Sequence, residues 1–187
     1  IYKEKADSED GYLGMYLFLM GKYLEKTENT DLPEYWKRGI SLALKKIQSL
    51  MRDGITQVSE ENTTAYLMDN LEVWKGLHEL ELAGLEDTQE ISEMRKKIQA
   101  QIENIFWDDA NQRWRIIGNS NLYDQTEFYP DGVAQIYPLI YEFPVKEKKK
   151  QKVLYDQFTE KFQWQKLNKK RNGFLWAMTG MAAAQMG

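Results

Sequence analysis

Three aspartates, Asp10, Asp69 and Asp131, recur roughly 60 positions apart in this 187-residue chain. Each sits in a segment of mixed acidic and aromatic character. These segments are Asp7-Ser8-Glu9-Asp10-Gly11-Tyr12, then Tyr66-Leu67-Met68-Asp69-Asn70-Leu71-Glu72, then Phe128-Tyr129-Pro130-Asp131-Gly132 with Gln135 one turn on. Asn172-Gly173-Phe174-Leu175-Trp176 makes a fourth, without an acid. Paired carboxylates suit general acid–base chemistry. One protonates a leaving oxygen while the other draws a proton from water, as hydrolysis of a glycosidic bond requires. Aromatic rings supply flat surfaces for the apolar faces of sugars, and 13% of the chain is aromatic, with 6 Trp and 11 Tyr.

Other chemistries are poorly provided for. The absence of cysteine excludes disulfides and thiolate-ligated metals. The one histidine, His78, lies among Leu77, Leu80 and Leu82 and reads as a satisfied core residue, so neither a zinc site nor a Ser-His-Asp triad is expected. No phosphate-cradling glycine loop is present, and no metal or cofactor is expected. A net charge of −4 argues against nucleic acid as a partner. No apolar run reaches the ~20 residues of a membrane span. The chain begins at Ile1, which suggests a removed leader or an excised part of a longer chain.

The elements that must position these residues follow from periodicity. Helices are expected over 8–26, 33–51, 65–85, 88–106, 129–142, 146–162 and 174–186. The first, third, fifth and seventh are apolar nearly all round, as buried helices are. The second, fourth and sixth are amphipathic, as in Trp36, Ile40, Leu44, Ile47 and Leu50 with Lys37, Arg38, Lys45 and Lys46 opposite. Asp7 is the expected first N-cap, and Thr63 or Thr64 the expected cap of the third helix. Pro138 should kink or shorten the fifth helix. Residues 114–117 read as a short strand, half of one hairpin-like insertion, and 54 with 59–64 as a loop. The runs Lys146–Lys152 and Lys166–Arg171 read as solvated faces. Alternation of buried and amphipathic helices with a repeat near 60 residues marks an all-α chain of antiparallel helical hairpins in one domain, a solenoid or toroid. If the buried helices run the same way, their acidic starts meet at one end.

Taken singly, Asp7, Asp10 and Asp131 are accounted for by capping, because free N–H groups and the helix dipole favour an acid in the first turn. Asp69 and Glu72 are harder to assign so, since buried carboxylates need a partner or a role. Function and a structural network both remain open for that pair.

The helix starts resemble those of the six-hairpin, or (α/α)6-barrel, glycosidases of bacteria. The matching segments are 7–12 leading into Met15-Tyr16-Leu17-Phe18-Leu19, then Leu67 to Trp74, Phe128 to Pro138, the Phe106-Trp107-Asp108-Asp109 corner, and the closing Trp176 to Gly187 helix. The resemblance implies a glycoside hydrolase on a polysaccharide or oligosaccharide, secreted or in the cell envelope. It implies Asp10 and Asp131 as the acid–base pair with Asp69 in reserve. It also implies Asp7, Glu9, Tyr12, Asn70, Glu72, Tyr129, Gln135 and Trp176 as sugar contacts. A looser likeness of Ser8 to Met15 to family 8 endoglucanases would make Glu9 the proton donor, ranked below Asp10. A complete barrel needs twelve helices against the seven expected here, so the chain reads as part of such a toroid. The rival readings are a non-catalytic carbohydrate-binding module and a protein-interaction helical repeat.

Overall fold

Ser8 begins the first helix. Its backbone is extended and its hydroxyl accepts the Gly11 N–H, an N-cap that leads into α1 (Glu9–Thr27). Glu28, left-handed at φ 51°, closes it. The cap is therefore Ser8 where Asp7 was expected, and Asp7 lies outside the described residues. The computed structural model describes residues 8–28, 32–85, 88–118, 120, 127–166 and 176–187. Among these the chain is mostly helical, with α2 (Glu34–Leu50), α3 (Leu67–Ala83), α4 (Thr88–Phe106), α5 (Val133–Ile140), α6 (Lys148–Phe162) and α7 (Trp176–Met186). No helix among the described residues is long and apolar enough to cross a membrane.

The chain divides into two compact units, Ile1–Asn104 and Ile105–Gly187, each described by itself. In the first, α1 and α3 pack along their length, with α2 against α1. Gly11 faces Asp69 and Glu72, Gly14 faces Val73, and Gly21 faces Glu79. These pairs ascend together, so α1 and α3 are parallel. Glycine permits the close approach: a Cβ on Gly14 would stand 2.6 Å from the Val73 nitrogen, and one on Gly76 would stand 2.2 Å from the Gly14 carbonyl oxygen. Leu17, Leu67, Leu71, Leu77, Leu80, Ile98 and Ile102 form the core beside this contact. Lys22 and Lys75 both pair with buried Glu79, at 2.8 and 2.9 Å. Burial pushes the Glu79 carboxyl up, but these two ammonium groups outweigh it and hold it below the ordinary carboxylate range. In the second unit α5 packs against α6 and α7, and Val133, Ile136, Leu139, Leu154 and Phe158 are buried.

Several expectations need correcting. α1 is not buried on most sides: Tyr12, Met15 and Leu19 are 65%, 37% and 60% exposed, one turn apart along one stripe. The extended residue before α3 is Tyr66, with no side-chain cap, in place of Thr63 or Thr64. Among the described residues there are two hairpins where one was expected. Strands β1 (Met51–Arg52) and β2 (Ile55–Thr56) pair antiparallel through Asp53 and Gly54, both at positive φ, as a tight two-residue hairpin turn requires. Strands β3 (Trp107–Asp108) and β4 (Arg113–Trp114) form the second. There the Asp108 carboxylate accepts from the Asn111 amide side chain at 2.8 Å and from the Ala110 N–H at 3.1 Å, which folds the loop back. The fifth helix is entered through a kinked turn at 128–132, in which Tyr129 is extended at φ −126° and ψ 132° and Gly132 is already helical. Beyond Pro138 the helix lasts only to Ile140. His78 is half-buried and stacked on Trp74 at 5.3 Å, and its buried Nδ1 has no hydrogen-bond partner, so it is not the satisfied core histidine expected.

Candidate active site at the start of α1 and α3

Each hairpin is held by an amide side chain from the helix that follows it. Asn70, one turn into α3, is fully buried. Its Oδ1 accepts the Thr56 N–H at 2.8 Å, and its Nδ2 donates to the Thr56 carbonyl at 3.1 Å and the Tyr66 carbonyl at 2.9 Å. In the second unit Gln135 does the same to Trp114. Its Oε1 accepts the Trp114 N–H at 2.8 Å, and its Nε2 donates to the Trp114 carbonyl at 2.9 Å. Both residues were expected as sugar contacts. Their amides are spent on backbone groups that would otherwise be buried without partners.

The Asn70 clamp sets the position of Thr56, and Thr56 sets that of Asp10. The Thr56 hydroxyl lies 2.7 Å from Asp10 Oδ2. On the other side of Asp10, the Ser8 hydroxyl lies 2.6 Å from Asp10 Oδ1 and 2.8 Å from Asp69 Oδ2. Residues distant in sequence thus meet around one hydroxyl: Ser8 and Asp10 from the start of α1, Asp69 from α3. Ser8 has a single proton to donate and faces two carboxylate oxygens. Its lone pair takes the Gly11 N–H at 3.1 Å. Gly11 leaves the space that the acids share. A Cβ there would stand 2.8 Å from Glu72 Oε2 and 3.2 Å from Asp69 Oδ1.

The carboxylates differ in access. Asp10 is 0% exposed, while Asp69 and Glu72 are half-buried and lie one helical turn apart. Asp10 is bonded to Ser8 and Thr56 out of reach of solvent, whereas Asp69 and Glu72 keep partial access. Glu9 pairs with Lys46 at 3.2 Å, and Lys46 in turn bonds Glu60 at 2.8 Å. Tyr12, one turn on from Ser8 along α1, is well exposed.

Asp131 belongs to the second unit. It is 8% exposed, and its Oδ2 accepts the Glu127 N–H at 3.3 Å, which closes the turn leading into α5. Tyr129 is half-exposed next to it. Neither Asp7 nor the Trp176 side chain lies within the described residues. No group of three or more histidine, cysteine, aspartate or glutamate side chains suited to a metal ion occurs among the described residues. Sequence reasoning missed Ser8 and Thr56, the two hydroxyls that join the acids. Ser8 is legible as an N-cap residue type, whereas nothing local marks Thr56, whose partner is 46 positions away. No protein family, curated protein or solved structure compared with this chain matches it.

Proposed function

We propose that the chain is a glycoside hydrolase domain whose reacting carboxylates are Asp69 and Glu72, and that its hairpins belong to an (α/α)6 toroid. The observation that carries the reading is the meeting of Asp10 and Asp69 at the Ser8 hydroxyl, with Glu72 and Asp69 together against Gly11. Parallel, closely packed α1 and α3, with α2 lying against α1, are the arrangement that alternating helices of a toroid adopt, which supports the second part. Both carboxylates lie within contact of one Cβ position at Gly11, too close together to hold a water between them, which fits the retaining reaction: one carboxyl gives its proton to the glycosidic oxygen as the other attacks the anomeric carbon, and water then hydrolyses the glycosyl ester, returning its proton to the first. Asp69 accepts from the Ser8 hydroxyl, which favours its charged form, and takes the nucleophile role, and Glu72 the proton-donor role. Asp10 is a positioning residue, and the Asp10–Asp131 pair expected from the sequence is replaced.

The test is reducing-end release from cellulose, xylan, mixed-linkage glucan and chitosan. Asp69→Asn and Glu72→Gln should each lower the rate, the latter by roughly 10²–10⁴-fold, the range of a lost general acid, with the melting temperature retained. Undiminished release by both variants sinks the proposal. A second reading, a carbohydrate-binding module without catalysis, is favoured by the full burial of Asp10 and the exposure of Tyr12. It predicts polysaccharide binding that survives Asp69→Asn and is lost in Tyr12→Ala, with no reducing ends released.

A further inference from the structure

Asp131 lines a cavity of about 40 Å³ with Gln135 and Gln157, walled by Leu154, Phe158 and Phe162. That is room for a hydroxyl or hydroxymethyl group, since one water needs some 10–15 Å³ by the same measure. Gln157 and Lys161 also line an open groove of about 540 Å³, with Asn111, Arg113 and Glu160 around it. Sites for small molecules fall in the range of roughly 300–1,000 Å³. All of these residues belong to the second unit.

The chemistry of the lining selects the ligand. Asp131 is nine-tenths buried, and one of its oxygens accepts the Glu127 N–H. The carboxylate lines the cavity, where it can accept from a donor that enters. Arg113 and Lys161 balance Asp131 and Glu160, so the lining favours neither an anion nor a cation. Asn111 and Gln157 add amides that both donate and accept. The Phe158 and Phe162 rings offer apolar surface to C–H groups. Balanced charge, paired amides, a carboxylate acceptor and aromatic walls together fit a neutral polyhydroxylated molecule.

We infer that the cleft between α6 and the β3–β4 hairpin binds a neutral sugar, with one hydroxyl or hydroxymethyl group seated against Asp131 and the ring lying in the groove at Gln157 and Lys161. The site shares its ligand class with the proposed hydrolase but none of that site's carboxylates. Gln157 and Lys161, on the outward-facing part of a charged helix, are exposed and not needed for the core. Gly132 sets the depth of the cavity, because a Cβ there would stand 2.3 Å from the Phe162 ring.

The experiment is a titration of the full chain with D-glucose, followed by two-dimensional NMR, with methylammonium chloride as the rival probe. Glucose should shift the Gln157 side-chain amide and the Gly132 backbone amide saturably, with Kd in the millimolar range. Asp131→Asn should weaken binding about tenfold or more, as the loss of a hydrogen bond to a charged group does. Gln157→Leu, at an exposed position, should weaken it without changing the melting temperature. Absence of a saturable shift overturns the inference. So does saturable binding of methylammonium without glucose, or glucose binding that is unaltered in both variants. The same titration on Asp69→Asn separates the two sites. Loss of hydrolysis with glucose binding retained is the expected pair of results, and failure of the hydrolase reading leaves this binding measurement intact.

Discussion

Alanine at Gly76 sets two effects of opposite sign against each other. In a helix interior alanine is favoured over glycine by roughly 1 kcal/mol. Against this, the new Cβ would lie 2.2 Å from the Gly14 carbonyl oxygen and 3.2 Å from the Leu17 Cβ. Ordinary carbon contacts begin near 3.5 Å, so the shortfall at the carbonyl is roughly 1 Å. The opposing atom is backbone, held in the hydrogen-bonding of α1, and cannot rotate away. The two helices must therefore move apart, which loosens the core along their contact. Overpacking of this kind costs some 1–3 kcal/mol and occasionally more. With a backbone obstacle we take the upper end, which leaves a net loss of about 2 kcal/mol after the propensity gain. For a chain of this size that lowers Tm by roughly 4–8 °C. Gly180 in α7 is the control: nothing lies within 4 Å of its Cβ position, so Gly180→Ala should stabilise by about 0.5–1 kcal/mol. Urea and thermal denaturation followed by circular dichroism measure both. A Gly76→Ala protein as stable as the parent would refute the close parallel packing of α1 and α3.

The remaining expectations concern the site and its supports. Asn70→Ala should cost about 2–4 kcal/mol in urea denaturation, because it leaves the buried Thr56 N–H and carbonyl without partners, and Gln135→Ala should do likewise through Trp114. Gly11→Ala should retain the fold yet reduce any hydrolysis, since its Cβ displaces movable Glu72 and Asp69 side-chain atoms and not backbone; full activity would argue that their spacing is unimportant. Burial first, and then the Lys75 charge, lower the His78 pKa below its usual 6.5. The unfolded chain then binds a proton that the folded chain refuses, so this contribution to stability is complete above about pH 6.5 and is lost as pH falls towards the folded value. The urea midpoint should decline on acidification from pH 7.5 to 5.5, and His78→Leu should flatten that decline.

The helices were legible because their causes are local. Apolar spacing of three and four marks α2 and α4, and α4 begins and ends where the spacing places it, at Thr88 and Phe106. The β1–β2 hairpin was missed, since Asp53-Gly54 is a turn signal but its strands are only two residues each, too short for an alternating pattern, and the segment was read as a loop. The exposed stripe on α1 was missed too, since periodicity reports how apolar a face is and not whether a neighbour covers it. The same limit applies to Asp10: its residue type and position suit a cap, a catalytic acid or a buried strut equally well.

Composition and period by themselves determined a mostly helical chain with acidic, aromatic helix starts and no cysteine. Those properties depend on residue type and on neighbours within a few positions. Only the tertiary structure decided which acid is buried and which is reachable. That follows from the glycines that let α1 and α3 meet side by side, and from the amide clamp that carries Thr56 to Asp10. The three aspartates that looked equivalent at their regular spacing are thereby separated into a buried strut, a half-buried acid and the wall of a small cavity. The cause in each case is a contact across tens of residues, which no local pattern encodes.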